Sequence, residues 1–147
     1  MKKIYKIILI ISCCVILHTA ISDNYMSISG NSMYPTLKDK QIVKVSKIKE
    51  INRFDIVIAK KTDNYLIVKR VIGLPDEKVE YKDNHLYINE KPVTEDFIDL
   101  YSTKTEDFVY TLKDNEYFLL GDNREYSTDS REHGAFKKEE LLYLVSN

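Results

Sequence analysis

A serine and a lysine are the residues of this 147-residue chain best suited to chemistry. Ser32 stands in segment 29–37, SGNSMYPTL, where glycine and proline indicate a loop. Lys69 stands in segment 65–73, YLIVKRVIG, whose other residues are mostly apolar. A serine hydroxyl is a weak nucleophile that needs a base within hydrogen-bond reach, and a neutral lysine amine can serve. The two residues therefore indicate nucleophilic catalysis by a serine, with a lysine as its base.

The apolar neighbours of Lys69 decide whether it can act as that base. At the ordinary lysine pKa of ~10.4, about one amine in a thousand is neutral near neutral pH. Burial disfavours the ammonium form and can lower the pKa by up to about 3–5 units. Arg70 would point to the opposite face of a strand and leave Lys69 in apolar surroundings. Two ordinary alternatives stay open, because Lys69 could protect an edge strand from aggregation and Ser32 could belong to a simple turn.

A third polar segment follows near the end of the chain. Residues 121–134, GDNREYSTDSREHG, are rich in Asp, Asn, Ser and Arg, which predicts a self-hydrogen-bonded loop with ion pairs. A surface turn or a calcium loop are alternatives, although the oxygen-bearing residues lack the regular spacing of the best-known calcium loops. The three histidines of the chain have no metal-ligand spacing either. We therefore expect no metal and no cofactor.

The elements that must position these residues are mostly strands. Short runs rich in β-branched and aromatic residues predict strands at 41–45, 55–59, 65–72, 78–81, 85–88, 108–112 and 116–120. Only 137–144 suggests a short helix. The pattern predicts a mostly-β domain, as a closed or folded-over barrel, with residues 76–115 as an appended β lobe.

The first 22 residues differ from the rest. They contain three lysines and no acid, and residues 4–21 form a largely apolar run of 18 residues. Such a run can cross a bilayer if Lys6 reaches back to the headgroups, whereas its strictly apolar centre of about 11 residues also suits a cleaved signal peptide. Cleavage after Ala20 would put His18 at the −3 position, which fits poorly. We predict a cytoplasmic tip and transmembrane anchor at 1–22, with 23–147 outside the cytoplasm.

The charge of the chain argues against nucleic acid as a partner. Without the three N-terminal lysines, 19 basic residues face 23 acidic ones, so no strongly basic domain remains. A local basic stretch at 38–53 is expected to be solvated, and contact with anionic lipid is its alternative reading.

Taken in order, the segments resemble those of type I signal peptidases, membrane-anchored serine endopeptidases with a Ser/Lys dyad. Segments 30–37, 68–75 and 121–134 match the family's nucleophile, lysine and last boxes, in the form of its Gram-positive-like branch. Segment 54–57 is similar to its second strand box, with Phe54 where glycine is usual. Pro75-Asp76-Glu77 replaces a Pro-Gly-Asp sequence. The resemblance implies a signal-peptidase-like β-barrel or folded sheet with a small β lobe.

The resemblance also implies roles for individual residues. Ser32 would be the nucleophile and Lys69 its base. Ser127 would orient the lysine, and Asp129 and Arg131 would support the site through an ion pair. Gly30 occupies a position where some members carry a serine that serves the oxyanion hole, so a second donor beside the backbone N–H of Ser32 is not identified. The substrate pockets would be lined by Ile28, Met33, Leu37 and Val68.

The implied activity is cleavage of N-terminal signal peptides from exported preproteins after small residues, at Ala-x-Ala sites. The implied partners are preprotein signal peptides and the lipid bilayer, with the enzyme acting as a monomer near the secretion machinery. An enzyme dedicated to one pilin, conjugation or sporulation substrate is the alternative. An inactive paralogue that binds signal peptides is a further reading, against which the presence of both Ser32 and Lys69 argues.

Overall fold

The computed structural model of the chain describes residues 25–62, 65–98 and 103–146. The predicted anchor at 1–22 lies outside these residues. Within them, no helix has the length and apolar character needed to cross a membrane. Strands are the main element, which confirms the prediction of a mostly-β fold.

The larger sheet has seven strands in the order β1-β2-β11-β3-β4-β9-β10, and its neighbouring strands are antiparallel. The strands at Ile56–Thr62 and Tyr65–Gly73 carry long β-branched runs, as expected for strands buried between two neighbours. The strands are β1 Tyr25–Ser27, β2 Ile42–Lys47, β3 Ile56–Thr62, β4 Tyr65–Gly73, β9 Glu116–Leu120, β10 Phe136–Lys137 and β11 Leu141–Ser146.

The smaller sheet lies within the segment predicted to form an appended lobe. Its antiparallel order is β7-β6-β5-β8, and the tight turn between β5 and β6 is made by Asp83 and Asn84, both with positive φ. Asn and Asp adopt that conformation at lower cost than most residues, which explains this hairpin. The strands are β5 Lys78–Lys82, β6 His85–Ile88, β7 Lys91–Val93 and β8 Phe108–Thr111.

The predicted helix at 137–144 is wrong. Only Lys138–Glu140 makes a turn of 3-10 helix, and Leu141–Ser146 is strand β11. Tyr143 pairs with Lys47 of β2 on one side, and Leu144 pairs with Val57 of β3 on the other. Hydrogen bonding to two neighbouring strands therefore outweighs the local helical preference of this segment. The short helix that does form, α1, spans Ser130–His133 in the last polar loop.

Buried apolar side chains cover both faces of the β3–β4 pair. One cluster packs Ile56 and Ile58 against Leu37, and another packs Val57 and Val71 against the β9 side of the sheet. Lys69 therefore lies on a strand that is fixed from both faces and by both neighbouring strands.

Candidate active site

Lys69 lies on an internal strand. It pairs with Val57 of β3, and the next residue, Arg70, pairs with Leu120 of β9. The edge-strand alternative is therefore wrong, and Lys69 is only 4% exposed. Successive side chains of a strand point to opposite faces, so the guanidinium of Arg70 lies on the other face of β4 from the Lys69 amine.

The amine of Lys69 lies against the hydroxyl of Ser32. Lys69 Nζ donates a hydrogen bond to Ser32 Oγ at 2.7 Å and another to the carbonyl oxygen of Val68 at 2.9 Å. A nucleophile and its base need this kind of contact, because the proton must pass directly from one to the other. The structure thus brings together the two residues on which the sequence interpretation depends.

Burial also prepares Lys69 electrostatically. Desolvation lowers its pKa from 10.5 to about 8, and the charge of Lys61 acts in the same direction. The carboxylates of Asp129 and Asp122 raise the pKa, but by less than desolvation lowers it. With a pKa of about 8, roughly a tenth of the lysines are neutral at pH 7, so the base form is well populated.

The loop that carries Ser32 is held by the last polar loop. The backbone N–H of Asn123 donates to the carbonyl oxygen of Ser32 at 3.0 Å, and Asn123 Nδ2 donates to that of Asn31 at 3.1 Å. Gly30 has a φ of +89°, and its N–H donates to Asp39 Oδ1 at 2.8 Å. Glycine adopts this left-handed conformation without steric cost, so the loop can turn immediately before the serine.

The carboxylate of Asp122 joins all three segments of the site. Its two oxygens accept hydrogen bonds from Arg70 Nε at 2.8 Å and Arg70 Nη2 at 2.6 Å. One oxygen also accepts a hydrogen bond from Thr36 Oγ1, four residues after Ser32, at 2.5 Å. Paired N–H donors of arginine fix a carboxylate in both position and orientation. This contact therefore sets the nucleophile loop against the strand that carries the lysine.

Asp129 and Arg131 make the predicted ion pair, with Arg131 Nε donating to Asp129 Oδ1 at 2.8 Å. The other oxygen of Asp129 accepts from the backbone N–H of Gly121 at 3.0 Å. A Cβ at position 121 would lie 2.1 Å from Ser127 Oγ and 2.5 Å from the carbonyl oxygen of Ser32. Only glycine fits there. The ion pair and Gly121 together let the last loop approach the serine closely.

Ser127 is buried within the same loop. Its Oγ has no hydrogen-bond partner among the described residues, so the predicted contact with the lysine amine is not formed in this conformation. Buried hydroxyls usually have a hydrogen-bond partner, so the unpartnered hydroxyl of Ser127 is an exception that needs an explanation.

The sequence that forms this site also matches a known protein family. Residues 1–145 match the family model described as signal peptidase, peptidase S26. The chain belongs to the signal peptidase family. It is 39% identical to signal peptidase I V of Bacillus subtilis, with 82% of each chain covered. It is 37% identical to signal peptidase IB of Staphylococcus aureus, covering 82% of this chain and 74% of that one.

A solved structure supports the same assignment. The crystal structure of a signal peptidase I from Enterococcus faecalis is 35% identical in sequence, with a TM-score of 0.62. The similarity covers 67% of this chain and 99% of that one. The signal-peptidase-like fold expected from the ordered segments is thereby confirmed.

A narrow cleft of about 150 Å³ opens beside Ser32 and Lys69. Of the four residues expected to line substrate pockets, Ile28 and Val68 are at its wall. Met33 and Leu37 do not line this cleft; they are 1% and 0% exposed and belong to the apolar cluster that also contains Ile28. They support the cleft wall by packing, and their proposed contact with substrate stays a prediction.

Several residues that organise this signal peptidase site had no assigned role in the sequence interpretation. Thr36, Arg70 and Asp122 each stand inside one of the three matched segments, and that placement was an available signal. Glu95 had no such signal, since it lies in a polar stretch with no motif. Its buried contact with Arg124 appears only when the two sheets are assembled.

Proposed function

We propose that this chain removes signal peptides from preproteins, with Ser32 as nucleophile and Lys69 as general base. Signal peptide cleavage is the activity for which its relatives are named. The observation that carries the assignment to these residues is the 2.7 Å contact between Lys69 Nζ and Ser32 Oγ. The lowered pKa of Lys69, about 8, supports it, because a base must be neutral before it can accept the serine proton.

The reaction follows from that pair. Ser32 Oγ attacks the scissile carbonyl carbon while Lys69 Nζ accepts its proton, and the backbone N–H of Ser32 stabilises the developing oxyanion. The lysine ammonium then donates its proton to the leaving amine, which releases the mature protein and leaves the signal peptide esterified to Ser32. The neutral lysine next takes a proton from water as the water oxygen attacks the ester carbonyl carbon. The lysine ammonium then returns that proton to Ser32 Oγ as the ester bond breaks, which releases the signal peptide and restores the free serine and the neutral lysine.

Three residues of the last loop would support the lysine. Lysine has three N–H donors when charged, and Lys69 uses two of them within the described residues. Ser127 Oγ is buried and unpartnered, so we propose it as the third partner once the serine side chain turns towards the amine. Asp129 and Arg131 would hold the loop that carries Ser127, since Arg131 Nη2 donates to its carbonyl oxygen at 3.1 Å.

The substrate would be cleaved after small residues, at Ala-x-Ala sites. The cleft is small and its wall is apolar at Ile28 and Val68, which favours short apolar side chains beside the scissile bond. Met33 and Leu37 would fix the depth of the pockets from beneath.

The enzyme would act at the membrane surface on the extracytoplasmic side. The basic head and apolar run at 1–22 support an anchor with its N-terminus in the cytoplasm. The first described residue, Tyr25, lies three residues beyond that segment and is half exposed at 48%. Tyr65 and Leu66, at the cleft, are 58% and 43% exposed. Exposed aromatic and apolar side chains next to an anchor suit a site that works against lipid. The enzyme would act there as a monomer near the secretion machinery.

The test is processing of several unrelated preproteins by the purified full-length chain, with Ser32→Ala as the control. A general signal peptidase cuts most of them at Ala-x-Ala sites, and the control cuts none. Cleavage of one preprotein alone identifies the dedicated enzyme instead. Binding of signal peptides without any cleavage identifies an inactive relative and overturns the proposal.

A further inference from the structure

A buried polar network connects the small lobe to the loop that holds Ser32. Arg124 Nη2 donates to Glu95 Oε1 at 2.5 Å, and the two side chains are 0% and 1% exposed. Arg124 Nη1 also donates to the hydroxyl of Tyr81 on β5 at 2.8 Å, and that hydroxyl donates to Glu95. Every member of this network is buried, so the network is a buried polar contact between the two sheets and not a surface ion pair.

The same arginine organises the backbone of the last loop. Arg124 Nε donates to the carbonyl oxygen of Gly121 at 3.0 Å, and the carbonyl oxygen of Arg124 accepts from Arg131 Nη2 at 2.7 Å. Between these two points lies Asn123, whose N–H holds the carbonyl oxygen of Ser32. The position of Arg124 therefore sets the position of the backbone that contacts the nucleophile.

The segment that carries Glu95 reaches the lysine strand as well. Residues Glu95–Ile98 form a turn closed by a hydrogen bond from the N–H of Ile98 to the carbonyl oxygen of Glu95, at 3.3 Å. Within it, the ring of Phe97 lies 3.9 Å below the guanidinium carbon of Arg70, the neighbour of Lys69. Phe97 also packs edge-on against Phe54, with ring centroids 5.0 Å apart.

We propose that the turn Glu95–Ile98 is a clamp that positions the two halves of the dyad, with Glu95 and Phe97 as positioning residues. Glu95 holds the arginine of the loop behind Ser32, and Phe97 holds the arginine next to Lys69. The proposal rests on the proposed function, because it concerns the same dyad. It gives the small lobe a role in catalysis although none of the lobe residues that the structure describes lines the cleft beside Ser32.

Stability alone does not explain this network. Removing two charges from water is costly, and apolar residues of similar volume often stabilise a buried site equally well or better. A buried ion pair and an aromatic ring that hold arginines on either side of one dyad are better explained by geometry. A misplacement of about 1 Å in a reacting group can lower a rate by roughly a hundredfold.

The experiment compares full-length variants in detergent. Glu95→Leu/Arg124→Met replaces the ion pair with apolar side chains, and Phe97→Leu removes the ring beneath Arg70. Both are expected to keep a thermal midpoint near that of the wild type, while kcat falls about tenfold or more and KM stays within about twofold. KM is spared because none of the three substituted residues lines the cleft.

The matched control is Arg53→Met/Glu77→Leu. Arg53 and Glu77 also form an ion pair with two hydrogen bonds, at 2.9 and 2.6 Å, at the lobe boundary. Their side chains are hydrogen-bonded to neither Arg70 nor Arg124, the two arginines that the clamp holds. Its kcat should stay within about twofold of the wild type. A loss as large as in the clamp variants would assign the effect to general stability and overturn the proposal.

A readout independent of turnover separates this proposal from the function itself. Hydrogen exchange of the Asn123 amide, which is bonded to Ser32, should be about tenfold faster in Glu95→Gln and in the double variant. If the wild type cleaves preproteins and folded clamp variants keep both wild-type kcat and wild-type exchange, the clamp is refuted while the function stands. If the wild type cleaves nothing, the function fails, and the exchange result still decides the clamp.

Discussion

Asp122 accepts two hydrogen bonds from Arg70, at 2.8 and 2.6 Å, and this ion pair fixes the neighbour of Lys69 against the loop that contacts Ser32. Arg70 is 9% exposed and Asp122 0% in their side chains. The attraction within a buried pair of this kind roughly offsets the cost of removing its two charges from water, whereas loss of one member leaves an uncompensated buried charge and is strongly destabilising.

Asp122→Ala should therefore lower the free energy of unfolding by about 3–5 kcal/mol, because it leaves the Arg70 charge buried without its carboxylate. The measurement is denaturant unfolding of the full-length chain. Lys113→Ala is the control, since the ion pair between Lys113 and Glu116 is 81% exposed on the lysine side. Equal stability of the two variants would contradict the organising role of Asp122.

The pH dependence of cleavage should report Lys69. Below its pKa of about 8 the neutral base becomes tenfold rarer with each pH unit, so kcat/KM should rise about tenfold per unit and level off above pH 8. The measurement is the initial rate of preprotein cleavage from pH 5.5 to 9.5. A flat profile over this range would show that a lysine of this pKa is not the base.

The buried amine of Lys69 should also lower the free energy of unfolding of the chain. Burial lowers its pKa in the folded chain, so the unfolded chain binds more protons between about pH 8 and 10.5, and stability should rise with pH across that window. Lys69→Met removes the buried amine and should raise the free energy of unfolding at pH 7 by about 1–3 kcal/mol, while abolishing cleavage. Denaturant unfolding at pH 7 and 10 checks both, and a destabilised Lys69→Met chain would contradict this account of the site.

Gly121→Ala should reduce both stability and cleavage. The added methyl group would meet Ser127 and the carbonyl oxygen of Ser32 at less than contact distance, at a cost of about 1–3 kcal/mol. Gly30→Ala is the comparison, because a Cβ there meets no atom within 4 Å and only the positive φ opposes it. Unfolding and cleavage assays on both variants separate steric contact from backbone strain, and a fully active Gly121→Ala would refute the close approach.

Much of the fold followed from the sequence because the main strands carry their own signal. The β-branched runs of β3 and β4 and the alternation of β5 and β6 predicted strands without tertiary information. β11 was predicted to be helical, since its strand state depends on β2 and β3 on either side.

The site was predictable to the extent that it lies in ordered motifs. Ser32 and Lys69 are 37 residues apart and have no local reason to meet, so the motif order supplied that contact. Phe54 replaces the usual glycine yet has a φ of +72°, and its ring packs on Phe97. Neither the packing of Phe54 on Phe97 nor the pairing of Glu95 with Arg124 has a local signal in the sequence, because both require the lobe to be folded against the larger sheet.

The most direct test of the dyad compares Ser32→Ala, Lys69→Ala and His133→Ala in cleavage of one Ala-x-Ala preprotein by purified full-length chain. His133 is exposed and contacts Lys61, so its removal tests a nearby titratable group outside the dyad. The dyad mechanism predicts loss of cleavage in the first two variants, to below about one thousandth of the wild-type rate, and retained cleavage in the third. Near-full activity of Lys69→Ala would contradict it.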